Sequence, residues 1–219
     1  MLRSSDSPVM PDTGETPAER WSRASSLVGS VGQIYMERRG IPIRIALEAG
    51  IRYDPCWAGR AAVIVPMKDA NGVLRSVHGR YIEQARHQDK MLTIGSEGGM
   101  VSVLGGCRNS TIILVEGLFD ALSLAVCGYG SVATIGRWAP WFSDMCAHKV
   151  VWLAFDSNRP GEIEAARYGQ RLTNSQIRRL LPPGRSKDWN TALVKRGRTT
   201  VQTWLDRQLV LVSEKQLRR

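Results

Sequence analysis

Apolar residues at Leu27, Val31, Ile34 and Tyr35 keep helical spacing up to Gly40, and a second short helix is predicted over Ile43 to Ala49, stopped by Gly50. The run Ala61 to Met67 is apolar and β-prone, Asp69-Ala70-Asn71-Gly72 is a turn signal, and Val73 to Ile82 alternates as a returning strand, so an antiparallel hairpin is expected. A glycine-rich stretch from Gly95 to Gly106 reads as loop and strand edge. After it the period switches repeatedly between two and 3.6. Strands are predicted at Thr111 to Val115, Ser131 to Ile135, Lys149 to Phe155 and Gln176 to Leu181, with helices at Phe119 to Val126, Ala139 to Cys146, Gly161 to Leu172 and from Asp188. Such alternation predicts an α/β fold, a mostly parallel sheet flanked by helices, preceded by a small α+β basic domain. The expected organisation is a disordered leader over 1–20, marked by Ser4, Ser5, Ser7, Pro8, Pro11 and Pro17, then domains over 21–108 and 109–198 and a helical tail over 199–219.

Ligands of open α/β sheets bind beyond the carboxyl ends of the strands, which directs attention to the residues that follow them. Ile112-Ile113-Leu114-Val115 runs into Glu116-Gly117, with Asp120 one helical turn on, and Val150 to Phe155 runs into Asp156-Ser157-Asn158 ahead of Pro160-Gly161. Three carboxylates at one rim suit magnesium, which takes oxygen ligands and is commonly held by a few carboxylates together with substrate phosphates. Any one of these acids is also favoured simply by the positive end of a helix. All of them together on neighbouring strand ends are not so easily explained.

The formal charge of +10 and a pI near 10.0 direct the chain toward polyanions. Between Arg171 and Arg198 eight basic residues face a single acid, Asp188, and this stretch is the expected phosphate-facing surface. Cys56, Cys107, Cys127 and Cys146 are widely spaced, with only His78, His87 and His148 to help, which argues against a structural zinc site and a disulfide framework and for a reducing cytoplasmic location. No run approaches 18 apolar residues, no cleavable signal is expected, and no phosphate-loop motif of the Gly-x-x-x-x-Gly-Lys-Ser/Thr type occurs. Export, membrane insertion and an autonomous P-loop ATPase or helicase are therefore disfavoured.

Leu114-Val115-Glu116-Gly117-Leu118-Phe119-Asp120-Ala121 and Ala154-Phe155-Asp156-Ser157-Asn158-Arg159-Pro160-Gly161 resemble the TOPRIM signature of primases, topoisomerases and several nucleases. The first half narrows the resemblance to DnaG-type primases. Tyr35 to Ile41 is similar to that family's Tyr-Leu-x-x-Arg-Gly element, Pro66-Met67-Lys68-Asp69 with Gly72 and Gly79-Arg80 to its Pro-x-x-Asp, Gly and Gly-Arg run, and Lys90-Met91-Leu92 to its Lys-Tyr-Leu. Ala133 to Gly136 resembles the Ala-x-x-Gly after the second TOPRIM strand, and Pro183-Gly184 with Lys187-Asp188-Trp189-Asn190 resembles the later acidic segment. The resemblance spans about Trp21 to Arg198.

The resemblance implies a DNA-directed RNA polymerase core that makes short primers on single-stranded DNA from nucleoside triphosphates. It makes Glu116, Asp120 and Asp156 catalytic, places Mg2+ or Mn2+ on Glu116, Asp120, Asp156, Asn158 and Asp188, and assigns Arg80, Lys90 and Lys187 to nucleotide or template phosphate. A helicase or other replication protein is the implied partner, and the reduced core is similar to primase-like proteins of mobile elements. Asn158 stands where the family usually has the second acid of Asp-x-Asp, and Asn190 where a second carboxylate is usual, so metal affinity is expected to fall. Two alternatives stand beside the primase: a TOPRIM nuclease using the same acids, and a catalytically weakened nucleic-acid-binding subunit. A topoisomerase is disfavoured, since it needs a tyrosine nucleophile in a further domain.

Overall fold

A computed structural model of the chain describes residues 15–83 and 89–216, with side chains placed through residue 209. Helix α1 (Pro17–Arg23) corrects the leader expected over 1–20. Thr16 caps it reciprocally, its hydroxyl accepting from the Glu19 N–H at 3.2 Å while the Glu19 carboxylate accepts from the Thr16 N–H at 2.7 Å. Pro17, read as a loop residue, sits where a helix tolerates proline because that N–H has no helical partner anyway. The remainder of the expected leader, 1–14, lies outside the described residues.

Helices α2 (Val31–Arg38) and α3 (Ile43–Glu48) lead into a four-stranded antiparallel sheet of β1 (Arg52–Trp57), β2 (Arg60–Lys68), β3 (Leu74–Tyr81) and β4 (Met91–Gly95), in that spatial order. The expected hairpin is β2–β3. Its edge strands were not expected: Asp54-Pro55 breaks the alternation of β1, where the register shifts between Asp54 and Trp57, an irregularity that an edge strand tolerates. Register assigns the two faces of this sheet. Val63 pairs with Arg80, Val65 with His78 and Met67 with Ser76, and because cross-strand partners share a face, these point toward the rest of the molecule. Ala62, Ile64, Val77 and Tyr81 form a separate cluster on the opposite face with Trp57 and Leu92. The Trp57 indole there lies so close over Gly79 that a Cβ on residue 79 would fall 2.1 Å from Nε1, which explains the glycine before Arg80.

A second sheet has the order β5-β7-β6-β8-β9, built from β5 (Val101–Val103), β6 (Thr111–Val115), β7 (Ser131–Ala133), β8 (Val150–Leu153) and β9 (Gln176–Arg179). All its pairings are parallel except that of edge strand β5, which lies in the stretch expected as loop and strand edge. Ile113, Val115, Trp152 and Ala154 face α4 (Leu118–Val126) and α7 (Trp189–Gln216), in a core that continues into Leu27, Met36, Ile41, Val63 and Val65 of the first half. Ile112, Leu114, Val151, Leu153 and Phe155 face α5 (Phe142–Cys146) and α6 (Arg159–Arg171) through Phe142, Ala165 and Tyr168. Continuously apolar strands are what a sheet covered on both faces requires. Each fully buried Leu, Ile or Phe contributes about 1.5–3 kcal/mol.

Several elements are shorter than expected, two of them for a visible backbone reason. Strand β7 ends at Ala133 because Ile135 and Gly136 adopt φ of 53° and 67°, and α5 begins only at Phe142, beyond Pro140. Helix α7 is interrupted at Gly197, with φ 78° and ψ 162°. Among the described residues no helix is long and apolar enough to cross a membrane.

Candidate functional site

Strand order locates the site. From β6 the chain runs through α4 to β7 on one side, whereas from β8 it runs through α6 to β9 on the other, so a crevice opens beyond the carboxyl ends of β6 and β8. Glu116 follows β6 and Asp156 lies just past β8. Asp188 enters from the start of α7.

These carboxylates repel one another. Burial and the neighbouring charges of Asp156 and Glu164 raise the Glu116 pKa, with Lys187 opposing the rise. Burial and Asp188 raise that of Asp156. Asp120, only 8% exposed, is pushed up to about 7 by burial and by Asp188 and Asp156. Its Oδ1 accepts from the N–H groups of Trp189 at 2.9 Å and Asn190 at 3.2 Å, so it bridges α4 to the amino end of α7. Asp188 caps the same end, its Oδ1 accepting from the Thr191 N–H at 2.6 Å. Glu116, by contrast, has no hydrogen-bonding partner for its carboxylate among the described residues.

Asn158 is engaged at both ends of its amide. Its Oδ1 caps α6 by accepting from the Gly161 N–H at 2.9 Å, and its Nδ2 donates to Asp156 Oδ2 at 3.2 Å. The amide thus turns its donor toward Asp156 while its oxygen caps the helix. Lys187 Nζ lies 3.8 Å from the same Asp156 oxygen. Its loop is stitched to the site by the Ser157 N–H to the Lys187 carbonyl at 2.8 Å and the Ser157 hydroxyl to the Ser186 carbonyl at 2.7 Å.

The acids, Asn158 and Lys187 therefore come together, while Arg80 and Lys90 lie on the other sheet. Arg80 is on β3, half-buried, on the face turned toward the second sheet, and Lys90 is exposed beside the start of β4. Neither pairs with the acids among the described residues. The basic stretch 171–198 is not one phosphate-facing surface either. Arg179 is spent on the fold: it donates to the carbonyls of Leu153, Phe155, Asp156 and Leu180 and pairs with Glu162 at 2.6 Å, while Arg171 and Arg178 stack over Trp138 and Trp152. Sequence reading missed Glu164, whose charge reaches Glu116; its place one turn past Gly161 on α6 was the available signal.

An all-oxygen donor set whose members raise each other's pKa values fits a hard divalent cation. Among the described residues no three of His, Cys, Asp and Glu converge into a ready cage. A site in which one or two carboxylates share the ion with water and substrate phosphates does not require such a cage.

Comparison with known proteins agrees with this geometry. Residues 113–193 match the Toprim-like family, so the second sheet is a Toprim-like domain. The primase of Aquifex aeolicus, in a structure of its zinc-binding and RNA polymerase domains, superposes with a TM-score of 0.64 at 17% identity, over 83% of this chain and 57% of that one. A DnaG primase catalytic domain bound to single-stranded DNA gives 0.63 at 17% identity, over 87% and 77%. The primase fragment of the bacteriophage T7 primase-helicase protein gives 0.59 at 20%, over 93% and 80%. This chain thus spans little more than half of the Aquifex polypeptide, and at these identities the likeness establishes the fold, that of a DnaG-type primase core. No curated protein matches the chain in sequence.

Proposed function

We propose that the chain is a primase-like nucleotidyltransferase core that joins nucleoside triphosphates into short primers on single-stranded DNA. The observation that supports this reading is that Glu116 and Asp156 follow β6 and β8 at the crevice of a primase-type fold, close enough to raise the Glu116 pKa, with Asp188 acting on Asp156 and Asp120. Mg2+ or Mn2+ would be held by Glu116 and Asp156, supplying the positive charge that nucleotidyl transfer needs as a hydroxyl attacks phosphorus and pyrophosphate departs. Asp120 and Asp188, engaged by the start of α7, add negative charge behind them. Asn158 holds Asp156 in place by donating to it. Lys187, Arg80 and Lys90 supply cations to template and nucleotide phosphates. A helicase or another replication protein is the proposed partner, supported by the T7 fragment's origin in a primase-helicase protein.

The test is primer synthesis from labelled triphosphates on single-stranded DNA, with magnesium or manganese, using the native chain, Glu116→Gln and Asn158→Asp. Product from the native chain and none from Glu116→Gln is expected. Fragments released from labelled nucleic acid without triphosphates would replace the reading with a nuclease. DNA binding indifferent to metal, with no product from any variant, would replace it with a binding subunit.

A further inference from the structure

The loop that carries Lys187 and Asp188 into the crevice is held by side chains from two other parts of the chain. It is not relaxed by itself: Gly184 and Arg185 are consecutive left-handed residues, with φ of 63° and 58°, and for arginine that conformation persists only where surrounding contacts enforce it. One contact comes from α7. Arg196, immediately before the break at Gly197, lays its guanidinium against Gly184 and donates from Nη2 to the Gly184 carbonyl at 2.8 Å. A Cβ on residue 184 would fall 2.1 Å from Cζ and Nη2 of Arg196, so any larger residue there would displace the guanidinium. Past the break, Trp204 Nε1 donates to the Leu181 carbonyl at 3.0 Å, near the start of the same loop.

The other contact comes from the end of β8. Ser157, between Asp156 and Asn158, donates its N–H to the Lys187 carbonyl at 2.8 Å, and its hydroxyl lies 2.7 Å from the Ser186 carbonyl and 3.2 Å from that of Lys187. Ser186 is buried, and just beyond the loop the buried Trp189 indole donates to the Ala154 carbonyl at 2.8 Å. The main chain of Lys187 is therefore fixed to the strand end that carries Asp156, while its side chain is 65% exposed and ends 3.8 Å from Asp156 Oδ2. An exposed ion pair of this kind is weak by itself, and a lysine stem is flexible, so the place of the ammonium depends on the loop beneath it.

We propose that Arg196 and Ser157 are positioning residues that clamp the 184–188 loop and keep Lys187 where its ammonium meets the phosphates of an incoming nucleotide. The assignment of phosphates to Lys187 rests on the nucleotidyl-transfer reading; the clamp does not. Each of the two acts through loop carbonyls, not through the nucleotide, so their substitutions should lose their effect on binding once Lys187 itself is gone.

The experiment joins calorimetric titration of the full chain with ATP and magnesium to hydrogen exchange read by mass spectrometry, using the native protein, Lys187→Ala, Arg196→Ala, Ser157→Thr, Ser157→Val and the Lys187→Ala, Arg196→Ala double variant. Lys187→Ala should weaken ATP about tenfold, and Arg196→Ala and Ser157→Val about threefold to tenfold, while Ser157→Thr, which keeps the hydroxyl, stays near native. The double variant should bind no more weakly than Lys187→Ala alone. Arg196→Ala should also speed exchange of the Ser157 N–H, which donates to the loop that the arginine releases. The clamp is overturned if that exchange is unchanged, or if Ser157→Thr and Ser157→Val bind ATP alike although Lys187→Ala binds it weakly. It is also overturned if the losses from Arg196→Ala and Lys187→Ala multiply, which would make Arg196 a direct contact. Threonine and valine share a shape, so a general loss of stability does not mimic the difference between them. Faster exchange in Arg196→Ala, with ATP binding absent or unaffected by Lys187→Ala, would keep the clamp and remove the nucleotide from it. The full expected pattern without any primer synthesis would keep the clamp and sink the primase reading. Primer synthesis with a nucleotide KM unchanged by Arg196→Ala and Ser157→Val would do the reverse.

Discussion

Adding one methyl group to Gly161 should damage the site, whereas the same change two turns along the helix should strengthen it. A Cβ on residue 161 would lie 2.2 Å from the Asp156 carbonyl oxygen and 2.8 Å from its carbon. Reaching a tolerable contact requires a displacement of roughly 1 Å. Neither side yields easily: Gly161 N–H is bonded to Asn158 Oδ1, and the Asp156 carbonyl is held by Arg179 at 2.7 Å. Overpacking of this kind costs about 1–3 kcal/mol, or about 2–12 °C in melting temperature for a chain of this size. The displacement also moves the Asp156 carboxylate, and misplacement by about 1 Å costs on the order of a hundredfold in rate. At Gly169, on the same helix, a Cβ meets only Ile177 Cγ2 at 3.9 Å, so alanine should stabilise by about 0.5–1 kcal/mol through helix propensity alone. Thermal and urea unfolding of both variants measure the two signs. A Gly161→Ala protein that melts at or above the native temperature would refute the close-approach argument.

The pH dependence should report Asp120. Its folded pKa of about 7 lies above the ordinary value of 3.8, so the native state holds the extra proton between those limits, and the stability this confers is lost as pH rises through about 7. Asp120→Asn removes that loss while keeping an oxygen for the α7 N–H groups, and its stability relative to native should climb by roughly 3 kcal/mol from pH 4 to 8, a difference that a flat profile would exclude. His78 acts oppositely: pushed down to about 3 from 6.5, it contributes stability that disappears as pH falls through that window, and urea titrations of Asp120→Asn should reveal this rise once the opposing slope is gone. Arg179→Lys should lower stability by roughly 2–4 kcal/mol in urea unfolding, since one ammonium cannot serve the four carbonyls that the guanidinium holds; a loss under half of that would show that water replaces it. Glu116→Gln should leave the melting temperature at or slightly above native, because it removes one of the mutually repelling charges, and a fall of several degrees would assign Glu116 to the fold instead.

Much of the second sheet was legible along the chain. Runs such as Ile112 to Val115 and Val150 to Leu153 are short, apolar and followed by helical periods, so their strands and the positions of Glu116 and Asp156 at the carboxyl rim follow from local pattern and the rule for open sheets. The hairpin of β2 and β3 was legible for the same reason. Where local signals conflict with context, they misled: Pro17 opens a helix and Asp54-Pro55 sits in an edge strand. Tertiary structure alone decided the rest. Asp120 meets N–H groups roughly seventy residues later, and Arg179 gathers carbonyls from the neighbouring strand. Periodicity reports which face a side chain takes within its own element, but charge, burial and hydrogen bonding depend on which elements are packed against that face, and only the folded chain brings those together.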